Sequence, residues 1–483
     1  MRPDHAPKPE PERNDRPEPP WGAFLDGGAG DWRIWQQDSA GRARIELSGR
    51  WAPKASMGLL GGGSVEARLV RVESGAPLAG APGWHPMETR PDGIWHGVLE
   101  GVPAGGLYRL ETRFNPKGNK LGEWALRGDM RHFLGVGDVW LIAGQSNASG
   151  YGRKPYREAP TLGVHVFRAK GAWELAAHPL HDATGTDFPA SRETYNNGHS
   201  PFLRFATDLQ SRLGYPIGLV PGALGGSPLE AWHPERGPLF RNLAAMARAA
   251  GGKVKGMLWY QGETDASPGT AGDYLERFLA SAEGWRRELG HPDLPILTVQ
   301  IGRYRSERPG EEDREWAEVR EAQRQAAHRD GRIAVVPALD LPLDDTIHLG
   351  SEGNATLGAR LADCALGFVY GQASSWRAPD LAEAVSDGPD GVRMRFAHVA
   401  SRLDSLVPGA RPFRVADADG VIPVEKAVYF HRDSVRLQLN RPMGKNAVIS
   451  CGYGEDPDAL PMDVERQMPA LAFHGVPLGP EHV

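Results

Sequence analysis

Four separated stretches of the chain carry residue types that do chemistry together. Ser146 ends the run VWLIAGQS and is followed by Asn147; Gly225-Gly226 follows PIGLVPGAL; Gln261-Gly262-Glu263 follows GMLWY; Asp345-Thr346-Ile347-His348 follows RIAVVPALDLPLD. These are the parts of acyl transfer. A serine hydroxyl is a weak nucleophile until a base takes its proton, and His348 is a residue of that type. The imidazole in turn needs a carboxylate to hold its tautomer and stabilise the imidazolium. Asp345 and Asp344 both compete for that role. The oxyanion of a tetrahedral intermediate needs donors placed in advance. Backbone N–H groups at Gly225 or Gly226 approach closely because no Cβ intrudes, and the Gln261 amide is a further donor. Each stretch alone reads as an ordinary turn or surface loop. Unrelated turns have no reason to follow successive strands in this order.

The elements that position them are strands alternating with helices. DVWLIAG, PIGLV, GMLWYQ, PILTVQI and RIAVVPA are short, nearly continuous apolar runs. Between them lie helical patterns such as SPFLRFATDLQSRLG, with Pro201 suited to an N1 position and Gly214 to a C′ stop. Strands apolar on both faces suit a parallel sheet covered by helices. The expectation is α/β: a three-layer α/β/α, flavodoxin-like core with a five-stranded parallel sheet, whose ligands bind beyond the carboxyl ends of the strands. Gly144 would permit a sharp exit from the first strand, displaying Ser146 at the sheet edge. Asn147 or Gln145 would brace that loop.

The same residues carry a resemblance. GQSN around Ser146, ALGGSPLEAW, WYQGETD and DTIHL are similar to the sequence blocks of the SGNH (GDSL-type) hydrolases. Within them the chain resembles the carbohydrate O-acetylesterases, both the sialate O-acetylesterases and the acetylxylan esterases. Asp three residues before His, followed by Leu, looks more like the acetylxylan-esterase style. The resemblance implies roles residue by residue. Ser146 is the nucleophile, and its own N–H joins an oxyanion hole with Gly225 and the Gln261 amide. His348 is general base and then general acid, and Asp345 orients it. Glu263 supports the loop that carries Gln261. It implies a serine esterase that removes O-acetyl groups from a saccharide through an acetyl-enzyme, with no cofactor and no metal.

Composition sets the outer limits. The 483 residues exceed one compact domain. Alternating β texture brackets the α/β region. The expected organisation is a disordered tail over 1–22, a β-sandwich domain over 23–135, the hydrolase domain over 136–375 and a C-terminal β-rich domain over 376–483. A net charge of −6 without a long basic run argues against nucleic acid or an anionic membrane as partner. No run is long and apolar enough to span a bilayer. The N-terminus mixes charge with proline and lacks the apolar core of a secretory signal, so a cytoplasmic location is expected. The two cysteines, Cys364 and Cys451, sit in apolar runs and read as buried free thiols. No His/Cys run has zinc spacing. His199 reads as a cap or loop residue rather than a pocket residue, Trp259 as core, and Trp232 equally as core or as a sugar-stacking wall.

Overall fold

The computed structural model describes residues 21–53, 62–78, 83–117, 127–153, 155, 158–193 and 198–480. Of the disordered tail expected over 1–22, residues 1–20 lie outside the described residues, while Trp21 precedes and Gly22 opens the first strand. Packing divides the chain into two compact units. One holds the described parts of Met1–Ala29, Arg44–Glu100 and Tyr108–Arg131, and the other those of Gly30–Ala43, Gly101–Leu107 and His132–Val483.

The chain opens with β1 (Gly22–Gly27), β2 (Ile34–Gln36), β3 (Arg42–Ala52), β4 (Gly63–Arg71), β5 (His85–Thr89), β6 (Ile94–Pro103) and β7 (Gly105–Pro116). The first unit is built on the order β1-β3-β6-β5-β4-β7. β1 with β3, β5 with β6, and β4 with β5 and β7 pair antiparallel. Alternation explains the sheet: in β3, Ala43, Ile45 and Leu47 are buried while Arg42, Arg44 and Glu46 are exposed.

The second unit is centred on a sheet of β8 (Met130–Gly144), β9 (Val164–Phe167), β10 (Trp173–Leu175), β11 (Ile217–Pro221), β12 (Gly256–Tyr260), β13 (Ile296–Gln300) and β14 (Ile333–Pro337). β9-β11-β8-β12-β13-β14 are all parallel, and β10 pairs antiparallel on β9. The five expected strands are therefore joined by a sixth parallel strand and an antiparallel edge. The sixth, VHVF, is short and carries a histidine, which masks it in the sequence. His165 is buried there against the Trp32 carbonyl, and desolvation lowers its pKa to about 4, so it sits in the sheet uncharged.

After the single turn α1 (Ser146–Ser149), helices cover both faces, α3 (Pro238–Ala250) against β11 among them. Paired parallel neighbours share a face, and Trp140 pairs with Gly256 while Trp259 pairs with Ala143, so the two tryptophans point oppositely. Trp140 meets Phe205 of α2 (Phe202–Leu213), which packs on α6 (Ser351–Phe368). Trp259 meets Phe278 and Trp285 of α4 (Tyr274–Glu288), which lies beside α5 (Asp313–Arg329).

The chain ends in two four-stranded antiparallel sheets that share one core. Val392, Met394, Val435 and Leu437 of one meet Val415, Ile449, Cys451 and Phe473 of the other. Both cysteines are buried and free. This lobe is tied to the α/β core by buried polar groups. Gln300 exchanges two hydrogen bonds with the Ala472 backbone, each 2.9 Å. Arg320 on α5 is fully buried and donates to the carbonyls of Ile301, Gly302, Gly452, Gly454 and Glu455.

Candidate active site

β8 ends at Gly144 with φ +129°, and a Cβ there would collide with the Tyr260 backbone carbonyl of β12. Only glycine lets the two strands close at this point. The chain then turns into the single turn Ser146–Ser149. Both residues flanking Ser146 brace it. Gln145 Oε1 accepts from the Gly262 N–H at 3.4 Å and the Thr264 N–H at 3.2 Å. Asn147 Nδ2 donates to Glu263 Oε1 at 2.8 Å and to the Ile347 carbonyl at 3.3 Å, and its Oδ1 accepts from Leu349 N–H at 3.0 Å. Asn147 thus joins the serine turn to the loops of Glu263 and His348.

Asp345 closes a tight turn onto His348. Its Oδ1 accepts from the Ile347 N–H (2.9 Å) and the His348 N–H (2.8 Å), and its Oδ2 lies 2.8 Å from His348 Nδ1. Burial alone would raise this carboxyl, but the two N–H groups and the imidazole outweigh it and hold it below the ordinary carboxylate range. With Nδ1 turned to a carboxylate it carries the ring proton, which leaves Nε2 as the basic nitrogen. The carboxylate of Asp344 accepts instead from the Arg153 N–H at 2.7 Å, and its own N–H donates to the His348 carbonyl at 2.9 Å. Asp345, not Asp344, faces the ring.

Ser146 is 7% exposed. Among the described residues no hydrogen bond engages its Oγ or its N–H, and none joins Oγ to His348 Nε2. The glycine pair is held close by. The Leu224 N–H and Ser227 Oγ both donate to the Gly144 carbonyl, at 3.1 and 3.3 Å, so Gly225 and Gly226 span a loop pinned two residues before Ser146. Gly226 takes the left-handed φ of +66°. A Cβ on Gly225 would strike Tyr151 and Glu193. The N–H of Gly225 has no acceptor among the described residues.

Gln261 departs from the expectation. It is fully buried, and both amide hydrogens are taken, one by Asp265 Oδ2 at 2.6 Å and one by the Ser227 carbonyl at 3.3 Å. Its Oε1 accepts from Tyr274 OH at 3.0 Å. An amide with two N–H groups so committed has none left for an oxyanion. Glu263, expected to support the loop that carries Gln261, joins that loop to the serine turn by accepting from Asn147. Burial, first of all, raises its carboxyl pKa.

Two residues escaped the sequence reading. The Tyr151 ring lies against His348, centroids 4.5 Å apart, and its hydroxyl bonds Glu193. Asp265, in the same QGETD stretch, receives Gln261, the Leu229 N–H and Arg277. Trp232 and Trp259 meet edge to face in the core, both buried, so Trp232 forms no sugar wall. His199 is fully buried and its backbone pairs with Gly152.

The sequence profile described as carbohydrate esterase, sialic acid-specific acetylesterase matches residues 136–367. A probable carbohydrate esterase of Arabidopsis thaliana is 31% identical over 255 residues, covering 47% of this chain and 90% of that protein. The human sialate O-acetylesterase is 29% identical over 192 residues, 32% of this chain and 36% of its own length, so this chain spans about a third of it. A carbohydrate acetylesterase from Xanthomonas citri shares the fold with a TM-score of 0.64 at 23% identity, covering 93% of this chain and 99% of the other. With the conjunction of GQSN, the glycine pair, QGE and DxxH in one edge of the sheet, the chain belongs to the sialic acid-specific acetylesterase family of carbohydrate esterases.

Proposed function

We propose that the protein is a metal-independent serine esterase that removes O-acetyl groups from a carbohydrate through an acetyl-enzyme on Ser146, on an SGNH-type, flavodoxin-like core. One observation carries the reading: the Asp345–His348 pair is fixed beside the serine turn by Asn147, while Ser146 Oγ is left unengaged. His348 Nε2 removes the hydroxyl proton as Ser146 Oγ attacks the acetyl carbonyl. The N–H groups of Ser146 and Gly225 receive the oxyanion. Collapse expels the sugar alcohol, protonated by His348. Water, deprotonated by the same imidazole, then releases acetate and restores Ser146. Asp345 holds the tautomer and stabilises the imidazolium throughout. In this reading residues 136–375 carry the chemistry, and the β regions 23–135 and 376–483 are accessory.

The test is acetate release from a panel of acetylated sugars and from an aryl acetate, with propionyl and longer acyl esters alongside. Wild type turning over acetyl esters, with Ser146→Ala inactive and folded, is the expected result. Undiminished activity of Ser146→Ala would overturn the mechanism. Turnover that grows with acyl length would move the substrate class away from acetylated sugars.

A further inference from the structure

Glu158, His178 and His199 lie on loops far apart in the chain, yet their ligand-type atoms all fall within 4.8 Å of one another. Both imidazole side chains are 1% exposed and Glu158 is 13% exposed. Glu158 Oε2 is 2.9 Å from His178 Nε2 and 3.2 Å from His199 Nε2. The two rings stack at 4.1 Å, tilted by 32°. Glu158 Oε1 is buried with no hydrogen-bond partner among the described residues.

This arrangement is costly as a plain hydrogen-bonded cluster. A buried carboxylate is stable only when its lone pairs are met, and one oxygen here is bare. A divalent ion would meet that oxygen while also binding neutral imidazole nitrogen. Two histidines and one glutamate are a zinc-type donor set, and calcium or magnesium would require mostly oxygen ligands. We propose that Glu158, His178 and His199 bind one zinc-type transition-metal ion, with Glu158 Oε1 or a solvent molecule completing the coordination.

Its role would be structural. The His199 backbone pairs with Gly152 in both directions, at 3.1 and 2.8 Å. Tyr151, one residue earlier, rests on the His348 ring. An ion at the cluster would therefore steady the His199 backbone that pairs with Gly152, next to Tyr151. The site stands independently of the esterase reading.

The full-length protein, stripped with chelator, is titrated with zinc chloride and with cobalt(II), and bound metal is counted after gel filtration. The expected result is one equivalent of zinc per chain, a melting temperature that rises with zinc concentration, and a tetrahedral cobalt absorption in the visible. Glu158→Gln keeps the side-chain shape and removes the charge. It should weaken zinc binding by at least about tenfold and lose the cobalt band. Zinc-free Glu158→Gln should melt no lower than zinc-free wild type, so a fold defect is separable from a lost ligand; His178→Gln gives a second test. No zinc retained by wild type, or equal retention by wild type and Glu158→Gln, would overturn the proposal.

Discussion

Asn147 holds the chain on both sides of His348: it accepts from the Leu349 N–H at 3.0 Å and donates to the Ile347 carbonyl at 3.3 Å. The residue after Ser146 thus sets where the His348 imidazole can stand, and a third bond ties it to Glu263. Asn147→Ala should lower kcat by about a hundredfold through misplacement of His348, with a smaller change in KM. It should also destabilise the fold by about 1–3 kcal/mol, since a buried Glu263 oxygen loses its donor. Steady-state kinetics and thermal melts read the two effects separately. Unchanged kcat would show that His348 is positioned by other contacts.

Replacing the carboxylate that faces the imidazole should be far more damaging than replacing its neighbour. Asp345→Asn should cost roughly 10³–10⁴ in kcat, the scale seen when a triad carboxylate becomes an amide. Asp344→Asn should stay within a few-fold of wild type, because Asp344 binds the Arg153 N–H instead. The reverse ranking would reassign the orienting role. The depressed Asp345 carboxyl also fixes a sign: it stabilises the fold above its unfolded pKa of about 4, and that contribution fades only as pH falls through its lower folded value. An acid limb of the pH–rate profile above about pH 5 therefore does not report Asp345.

Glu263 has the opposite sign. Burial raises its folded pKa, so its contribution is full below the unfolded value and declines as pH rises through the folded one. Glu263→Gln keeps an oxygen for Asn147 and cannot ionise. Its melting temperature should exceed wild type at pH 8, and the gap should close toward pH 4. A gap that widens toward acid would contradict the burial argument.

Gln261 separates two accounts of the same motif. With its N–H groups given to Asp265 and Ser227, Gln261→Ala should mainly cost stability, about 1–3 kcal/mol, since the buried Ser227 carbonyl loses this donor and Asp265 Oδ2 keeps only the Leu229 N–H. An unchanged melting temperature with a loss of about 10²–10³ in kcat would instead mark a donor to the oxyanion.

The chain announces its sheet because burial on both faces leaves no polar residue to break a run, as in GMLWY and PIGLV. It announces the serine, the glycine pair and DxxH because each follows such a run. VHVF stays hidden because a buried neutral histidine looks polar in a sequence. The commitments of Gln261 stay hidden because they depend on Asp265, Ser227 and Tyr274 meeting in space. Glu158, His178 and His199 share no local period at all. Tyr151 sits five residues after Ser146, yet nothing in its spacing says that its ring rests on His348.

Arg320 bears on how this protein can be inherited. Its guanidinium draws two carbonyls from the α/β core, Ile301 and Gly302, and three from the terminal β lobe, Gly452, Gly454 and Glu455. Burial pulls its pKa down to about 9, so the cation depends on those carbonyls in place of the water it has lost. A recombination that moved residues 136–375 to a new host gene would strand the cation in an apolar setting with most of its acceptors gone. The α/β core and the terminal lobe therefore travel as a single heritable piece.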